Sequence, residues 1–290
     1  MQLVRYENRG DARLGVLTAH GVVDLGDAGL PTDMVEFIRL GEQGLDAARS
    51  AAATATPIPL DEVSLLAPIP NPPKNVMAVG RNYLDHAKEF SDSGFDASEV
   101  QMIPDNPIIF TKASSSIVGP DVAIDTANDP TGTTDYEGEL GVVIGSGGRR
   151  ISVGDAFDHV YGYTIVNDVT ARDLQKRHVQ WFIGKNPDTF CPMGPNVTTI
   201  DELPDIGASW LRTHVNGELR QESPISALIF DIPTLIATIS EVITLEPGDV
   251  IATGTPLGVG IGFDPPIYLA PGDVVEVSVD GIGTLRNPVV

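Results

Sequence analysis

The sequence predicts a mainly β fold with some α, an α+β chain, on three observations. Beyond Asn75 the apolar runs are short and broken by glycine, as at residues 76–80, 107–110, 140–144 and 161–166. Two dipeptides, Asn216-Gly217 and Asp280-Gly281, separate pairs of strand-like runs and tolerate the positive φ of tight hairpin turns. The clearest helix spans 234–245, where Leu235, Ile236, Ile239, Val242 and Ile243 make one broad apolar face.

The chain opens with short alternating runs at 14–18 and 21–25, split by the turn residues His20-Gly21, and these predict a hairpin. Residues 34–53 have helix-forming composition, with Val35, Ile38 and Leu45 as the buried stripe and Gly41 and Gly44 weakening the middle. Four prolines then fall within residues 67–73, a density neither a helix nor a central strand tolerates. The boundary of a small N-terminal domain, 1–66, is placed just before them, leaving 67–290 as the body. Pro247-Gly248 stops the 234–245 helix, and the same Pro-Gly-Asp-Val turn recurs at 271–274.

With 290 residues, 42% of them hydrophobic, the chain has material for a continuous core. Eighteen basic residues against forty acidic ones give a net charge of −22, which repels phosphate backbones and anionic membranes and argues against nucleic-acid binding. No apolar stretch approaches the roughly 20 residues needed to span a bilayer, and the first residues lack the plan of a signal peptide, so a cytoplasmic protein is expected. The single cysteine, Cys191, excludes an intrachain disulfide and any cysteine-built cluster within one chain; it reads as a small core residue.

Chemistry is expected first at Glu137 and Glu139, in Asp135-Tyr136-Glu137-Gly138-Glu139-Leu140, joined by Asp168 in Asn167-Asp168-Val169. Residues two apart on a strand share a face, and three carboxylates without cysteine or paired histidine suit a hard cation: magnesium, manganese or calcium. The plainer alternative is a solvated strand face. His86 and Glu89, three apart, share a helical face, where the acid can orient the imidazole and raise its basicity; an exposed pair is the alternative. The polar stretch at 90–99 reads as a lid or an ordinary surface loop. Lys112 and Lys185 stand out where bases are scarce, Lys185 as a partner for a carboxylate or a substrate oxyanion. The turn at 253–260 follows a strand, and its hydroxyls and backbone N–H groups can hold a substrate carboxylate. Arg172 and Asp173 either support the site or pair with each other. Ser114-Ser115-Ser116 lacks a nucleophile elbow, and His159, His178 and His214 lack metal spacing.

Taken in order, Gly80-Arg81-Asn82-Tyr83 with His86 and Glu89, Phe110-Thr111-Lys112, the Asp135 to Leu140 motif, Asn167-Asp168-Val169-Thr170-Ala171-Arg172-Asp173, Gly184-Lys185, and Thr253-Gly254-Thr255-Pro256 resemble the fumarylacetoacetate hydrolase family from about Asn75 to the C-terminus. The resemblance is to its bacterial acylpyruvase and 2-oxo acid decarboxylase branch. It implies a catalytic domain of mixed β-sheets rolled into a β-sandwich or β-roll, a small N-terminal α/β domain, and a homodimer. It implies Mg²⁺ or Mn²⁺, with Ca²⁺ in isolated protein, on Glu137, Glu139 and Asp168; His86, Glu89 and Lys185 as catalytic groups; and Arg81, Tyr83, Lys112, Thr253, Gly254 and Thr255 around a small dicarboxylate or 2-oxo acid. The first reaction implied is hydrolysis of a C–C bond in an acylpyruvate through an enolate. Oxaloacetate-like decarboxylation, tautomerisation or isomerisation, and sugar-acid dehydration use the same groups. A non-catalytic carboxylate binder is the remaining alternative, against which the base stands.

Overall fold

The computed structural model describes residues 1–94 and 103–290, and its architecture is the α+β fold the sequence predicts. Strands β1 (Gln2–Asn8), β2 (Asp11–Thr18) and β3 (Gly21–Asp24) form an antiparallel meander. The helix expected over 34–53 is two helices, α1 (Met34–Ile38) and α2 (Gly41–Thr54). Gly41 has φ of 55°, a left-handed turn that glycine makes without strain, so the residue expected to weaken the helix is where the chain turns. β4 (Ser64–Leu66) pairs with β1.

The body follows with β5 (Val76–Gly80), α3 (Leu84–Asp92), β6 (Ile108–Lys112), β7 (Ile117–Val118), β8 (Thr134–Asp135), β9 (Gly138–Ile144), β10 (Val160–Asn167), β11 (Thr170–Ala171), α4 (Arg172–His178), α5 (Phe182–Lys185) and β12 (Cys191–Thr199). It closes with β13 (Trp210–Val215), β14 (Glu218–Pro224), α6 (Ile232–Val242), β15 (Val250–Ala252), β16 (Val274–Val279) and β17 (Gly283–Pro288). Both expected hairpin turns are present: Asn216-Gly217 joins β13 to β14, and Asp280-Gly281 lies between β16 and β17. Helix α6 starts two residues earlier than its apolar pattern suggests, because the Asp231 side chain caps it by accepting from Thr234 N and Pro233 fits its first turn.

The large sheet runs β3-β2-β1-β12-β10-β9-β15-β5-β6, and a second sheet runs β14-β13-β16-β17. β1 pairs with β12 (Leu3 opposite Val197), so the N-terminal meander continues the large sheet. Every residue of β9 and β10 is buried. Leu140, Val142 and Ile144 of β9 share a core with Leu211, Val275 and Val277 of the second sheet and Ile236 of α6, whereas Val143 packs with Phe37 and Ile38 of α1. Burial on both faces explains why β9 reads as a continuous apolar run, and why the acids beside it are out of water. No helix among the described residues is long and apolar enough to cross a membrane.

Candidate functional site

The register of β9 against β10 brings the three acids together. Val166 lies opposite Glu139 and Asn167 opposite Gly138, so Asp168, just after β10, comes level with Glu137, just before β9. Asp168 N donates to Glu137 O at 2.8 Å, and Glu137 N donates to Asn167 Oδ1 at 3.0 Å. Glu137 therefore occupies the break between β8 and β9, not the strand itself, yet one oxygen from each of Glu137, Glu139 and Asp168 lies within 4.8 Å of the others. All three residues are buried, at 5%, 1% and 0% exposure.

Buried cations surround them. Lys185 Nζ donates to Glu137 Oε2 at 2.7 Å and to Asp168 Oδ2 at 2.6 Å. It reaches them because Gly184 lets α5 press on α4: a Cβ there would sit 2.4 Å from Gln175 N. Arg172, at the start of α4, contacts Glu137 Oε1 through Nη1 at 2.6 Å and donates from Nε to Asp135 Oδ2 at 2.8 Å. Lys112 is fully buried behind Asp168; it donates to Val169 O at 2.9 Å and to Lys185 O, and its Nζ forms a 2.8 Å ion pair with Asp168 Oδ1.

Four buried carboxylates, counting Asp135, thus face three buried cations. Burial would raise Glu137, but Lys185 and Arg172 outweigh it and hold the acid well below the usual carboxylate range. Burial, with the charges of Asp168 and Glu137, pushes Glu139 well above it. The oxygen-only donor set, drawn together within 4.8 Å, and the crowding of Glu139 against Asp168 and Glu137 fit a hard divalent cation such as Mg²⁺ or Mn²⁺.

On α3, His86 Nδ1 lies 3.0 Å from Glu89 Oε2, and Gly258 N donates to Glu89 at 3.1 and 3.3 Å. With Nδ1–H held by the carboxylate, Nε2 is the nitrogen with a lone pair to offer. His86 lines a pocket of about 300 Å³, open mouth included, together with Glu137, Glu139, Lys185, Arg81 and Thr255. Trp181 forms its apolar wall, edge-on to Phe90 and Phe110 with ring centroids 6.1 and 5.3 Å away. Gly80 makes room for it, since a Cβ at that position would stand 2.5 Å from the indole ring.

The other expected site residues divide. Arg81 lines the pocket, with its backbone at φ 56° and its guanidinium 5.1 Å from the centre of the Phe90 ring. Thr255 lines it too, its hydroxyl accepting from Gln221 Nε2 at 2.8 Å. Tyr83 borders a neighbouring cleft with Leu84, Pro256 and Leu257, and Lys112 supports Asp168 from behind, so neither meets the pocket. Thr253 donates to Leu140 O at 3.1 Å.

The glycine-rich turn, expected to cradle a substrate carboxylate, gives three of its backbone N–H groups to the protein's own acids while Thr255 keeps a place on the pocket lining. Gly254 N donates to Glu139 Oε2 at 2.9 Å, Gly258 N to Glu89, and Gly260 N to Asp135 Oδ1 at 2.7 Å. Asp135, Gln175 and Trp181 were not anticipated in the site. Gln175 follows Arg172 by one helical turn, and Trp181 is one of only two tryptophans, just ahead of Lys185, which are the signals that point to them. Of the expected lid, 90–99, the first residues to Asp92 continue α3, and 95–99 lie outside the described residues.

A family model for the fumarylacetoacetate (FAA) hydrolase C-terminal domain matches residues 75–290. Oxaloacetate tautomerase YisK of Bacillus subtilis is 47% identical over 269 residues, covering 90% of this chain and 87% of its own. The mitochondrial oxaloacetate tautomerase fahd2 of Xenopus laevis is 42% identical over 299 residues, covering 100% of this chain and 90% of its own. Among solved structures, maleylpyruvate hydrolase from Sphingobium sp. SYK-6, in complex with manganese(II) ion and pyruvate, is 32% identical with a TM-score of 0.81, covering 100% of this chain and 99% of that one.

Proposed function

The chain belongs to the fumarylacetoacetate hydrolase family, and from that premise we propose that it is a divalent-metal-dependent keto–enol tautomerase of oxaloacetate-type 2-oxo dicarboxylic acids. The observation that carries the reading is the pairing of His86 with Glu89 on the wall of a pocket whose floor holds Glu137 and Glu139. Tautomerisation needs a base that takes a proton from carbon and delivers one to oxygen, and no nucleophile.

Glu137, Glu139 and Asp168 hold the cation, which when bound supplies the Lewis-acid charge that stabilises an enolate. Glu89 fixes the His86 ring through Nδ1, so that Nε2 moves the proton between the carbon next to the substrate's keto group and the oxygen of that group. Lys185 adds a fixed ammonium beside the same acids, and Arg81, on the pocket lining, takes the distal carboxylate. Gln175, whose Oε1 accepts from Arg172 Nη1 at 3.3 Å, keeps its amide N–H groups for a substrate oxygen. The Trp181 wall keeps water from the reacting carbon.

Acylpyruvate hydrolysis, the first reaction implied by the sequence, is the second reading, favoured by the similarity to a maleylpyruvate hydrolase; the proton-transfer reading stands ahead of it because both curated relatives above are named oxaloacetate tautomerases. The experiment offers enol oxaloacetate, maleylpyruvate and other acylpyruvates to the Mg²⁺- or Mn²⁺-loaded protein and follows enol absorbance and pyruvate release. Loss of enol without pyruvate is expected, and pyruvate release from an acylpyruvate as the faster reaction reverses the order. His86→Ala should lower the rate about 10²- to 10⁴-fold while leaving metal binding intact; undiminished turnover would place the base elsewhere.

A further inference from the structure

Asp135 is fully buried and does not line the pocket that His86 lines, yet its carboxylate accepts several hydrogen bonds. Its two oxygens accept from Arg172 Nε at 2.8 Å, Gly260 N at 2.7 Å, Ile261 N at 3.1 Å and Tyr136 N at 2.9 Å. On one side Arg172 carries on to Glu137 Oε1 at 2.6 Å. On the other, the turn that Asp135 anchors donates Gly258 N to Glu89, whose carboxylate holds His86 Nδ1.

The same turn donates Gly254 N to Glu139. Residues 254–261 therefore hold three carboxylates from three separate elements: Glu139 on β9, Glu89 on α3 and Asp135 on β8. The contact is close, because a Cβ on Gly262 would stand 1.8 Å from Glu89 Oε1 and one on Gly260 2.6 Å from Asp135 Oδ1. Phe90, Val259 and Ile261 pack as their own small cluster and press α3 onto the turn.

We propose that Asp135 is a positioning residue that sets the cation-holding acids and the His86–Glu89 pair as one unit, acting through Arg172 toward Glu137 and through the 258–261 turn toward Glu89. It touches neither substrate nor reacting atoms. Its Oδ2 accepts from both Arg172 Nε and Ile261 N and its Oδ1 accepts from Gly260 N, so one carboxylate ties the guanidinium to the turn that carries Gly258 N–H. An asparagine keeps the size, removes the charge and turns one acceptor into a donor facing N–H groups it cannot satisfy. The inference rests on the proton-transfer role proposed for His86.

The test is Asp135→Asn in the full chain, read by kcat on enol oxaloacetate with Mg²⁺, by Mg²⁺ affinity from calorimetry, and by the ¹⁵N resonances of the His86 imidazole. Expected are a fall in kcat of about 10- to 100-fold with a smaller change in KM, weaker Mg²⁺ binding, and imidazole shifts that leave the single-tautomer position. In a double-mutant cycle, Asp135→Asn should cost much less in a Glu89→Gln background, because one acts through the other. A folded variant with wild-type imidazole resonances, or losses that multiply independently in the cycle, overturns the proposal.

Should Asp135→Asn fail to fold, amide hydrogen exchange on the wild-type chain decides. Mg²⁺ should slow exchange at Gly258, Gly260 and Ile261, and exchange there indifferent to Mg²⁺ overturns the coupling. The imidazole and exchange measurements need no turnover. They judge Asp135 even where an active His86→Ala variant has sunk the proposed reaction.

Discussion

Replacing Lys185 by methionine leaves the acids without their central cation. Lys185 is 2% exposed and bonds Glu137 and Asp168 at 2.7 and 2.6 Å, so its loss leaves two carboxylates buried beside Glu139, with Arg172 on Glu137 and Lys112 on Asp168 as the remaining direct ion-pair partners among the described residues. Removing one partner of a buried ion pair costs about 3–5 kcal/mol. For a chain of this size that is a fall in Tm of roughly 6–20 °C. A divalent cation on the same acids restores the missing charge, and at a thousandfold excess over its Kd it contributes about 4 kcal/mol. The assay is thermal unfolding of wild type and Lys185→Met, each in EDTA and in saturating Mg²⁺. The variant should be severely destabilised in EDTA and largely rescued by Mg²⁺, with a wider gap between the two conditions than wild type shows. An equal loss of Tm in both conditions would refute the reasoning, since the cation would then not be meeting the charge that Lys185 meets.

Gly262→Ala should push the Glu89 carboxylate off His86, because its Cβ would fall 1.8 Å from Oε1. Steady-state kinetics should show kcat lowered about 10- to 100-fold with Mg²⁺ affinity unchanged by calorimetry, and wild-type kcat would show that Glu89 needs no fixed place. Asp24, 8% exposed, accepts from Arg13 Nη2 at 2.8 Å, from Asp27 N at 3.0 Å and from the Tyr6 hydroxyl. Burial opposes its charge, but the Arg13 and Tyr6 bonds win and hold its pKa below the ordinary value. A depressed carboxylate stabilises the fold above its unfolded pKa of about 3.9 and ceases to as pH falls through its lower folded value. Urea unfolding of Asp24→Asn should therefore show a deficit of about 1–3 kcal/mol at pH 7 that closes below about pH 4; a deficit independent of pH would point to packing instead.

The acids were legible because their geometry is local. Glu137 and Glu139 flank one residue at the start of a buried strand, and Asp168 ends the strand paired to it, so one antiparallel register assembles all three. His86 and Glu89 were legible for the same reason, being one helical turn apart. What the sequence could not show is where backbone donors go. The N–H groups of residues 254–261 meet Glu139, Glu89 and Asp135 only because β9, α3 and β8 converge on that turn from positions more than a hundred residues away. Arg172 was ambiguous on the same account: its partners Asp135 and Glu137 come from the far side of β10 in the chain, and not from adjacent Asp173. Helix α1–α2 shows the converse, since the break at Gly41 follows from a residue whose weakness in a helix is intrinsic.

The central claim is that Glu137, Glu139 and Asp168 hold the cation on which an enolate-forming reaction depends. It is tested most directly by following conversion of enol oxaloacetate before and after the protein is stripped with a chelator and then returned to Mg²⁺ or Mn²⁺. The account predicts that activity disappears on stripping, returns with either cation, and does not return in Glu137→Gln. A rate that survives complete removal of divalent metal would contradict it.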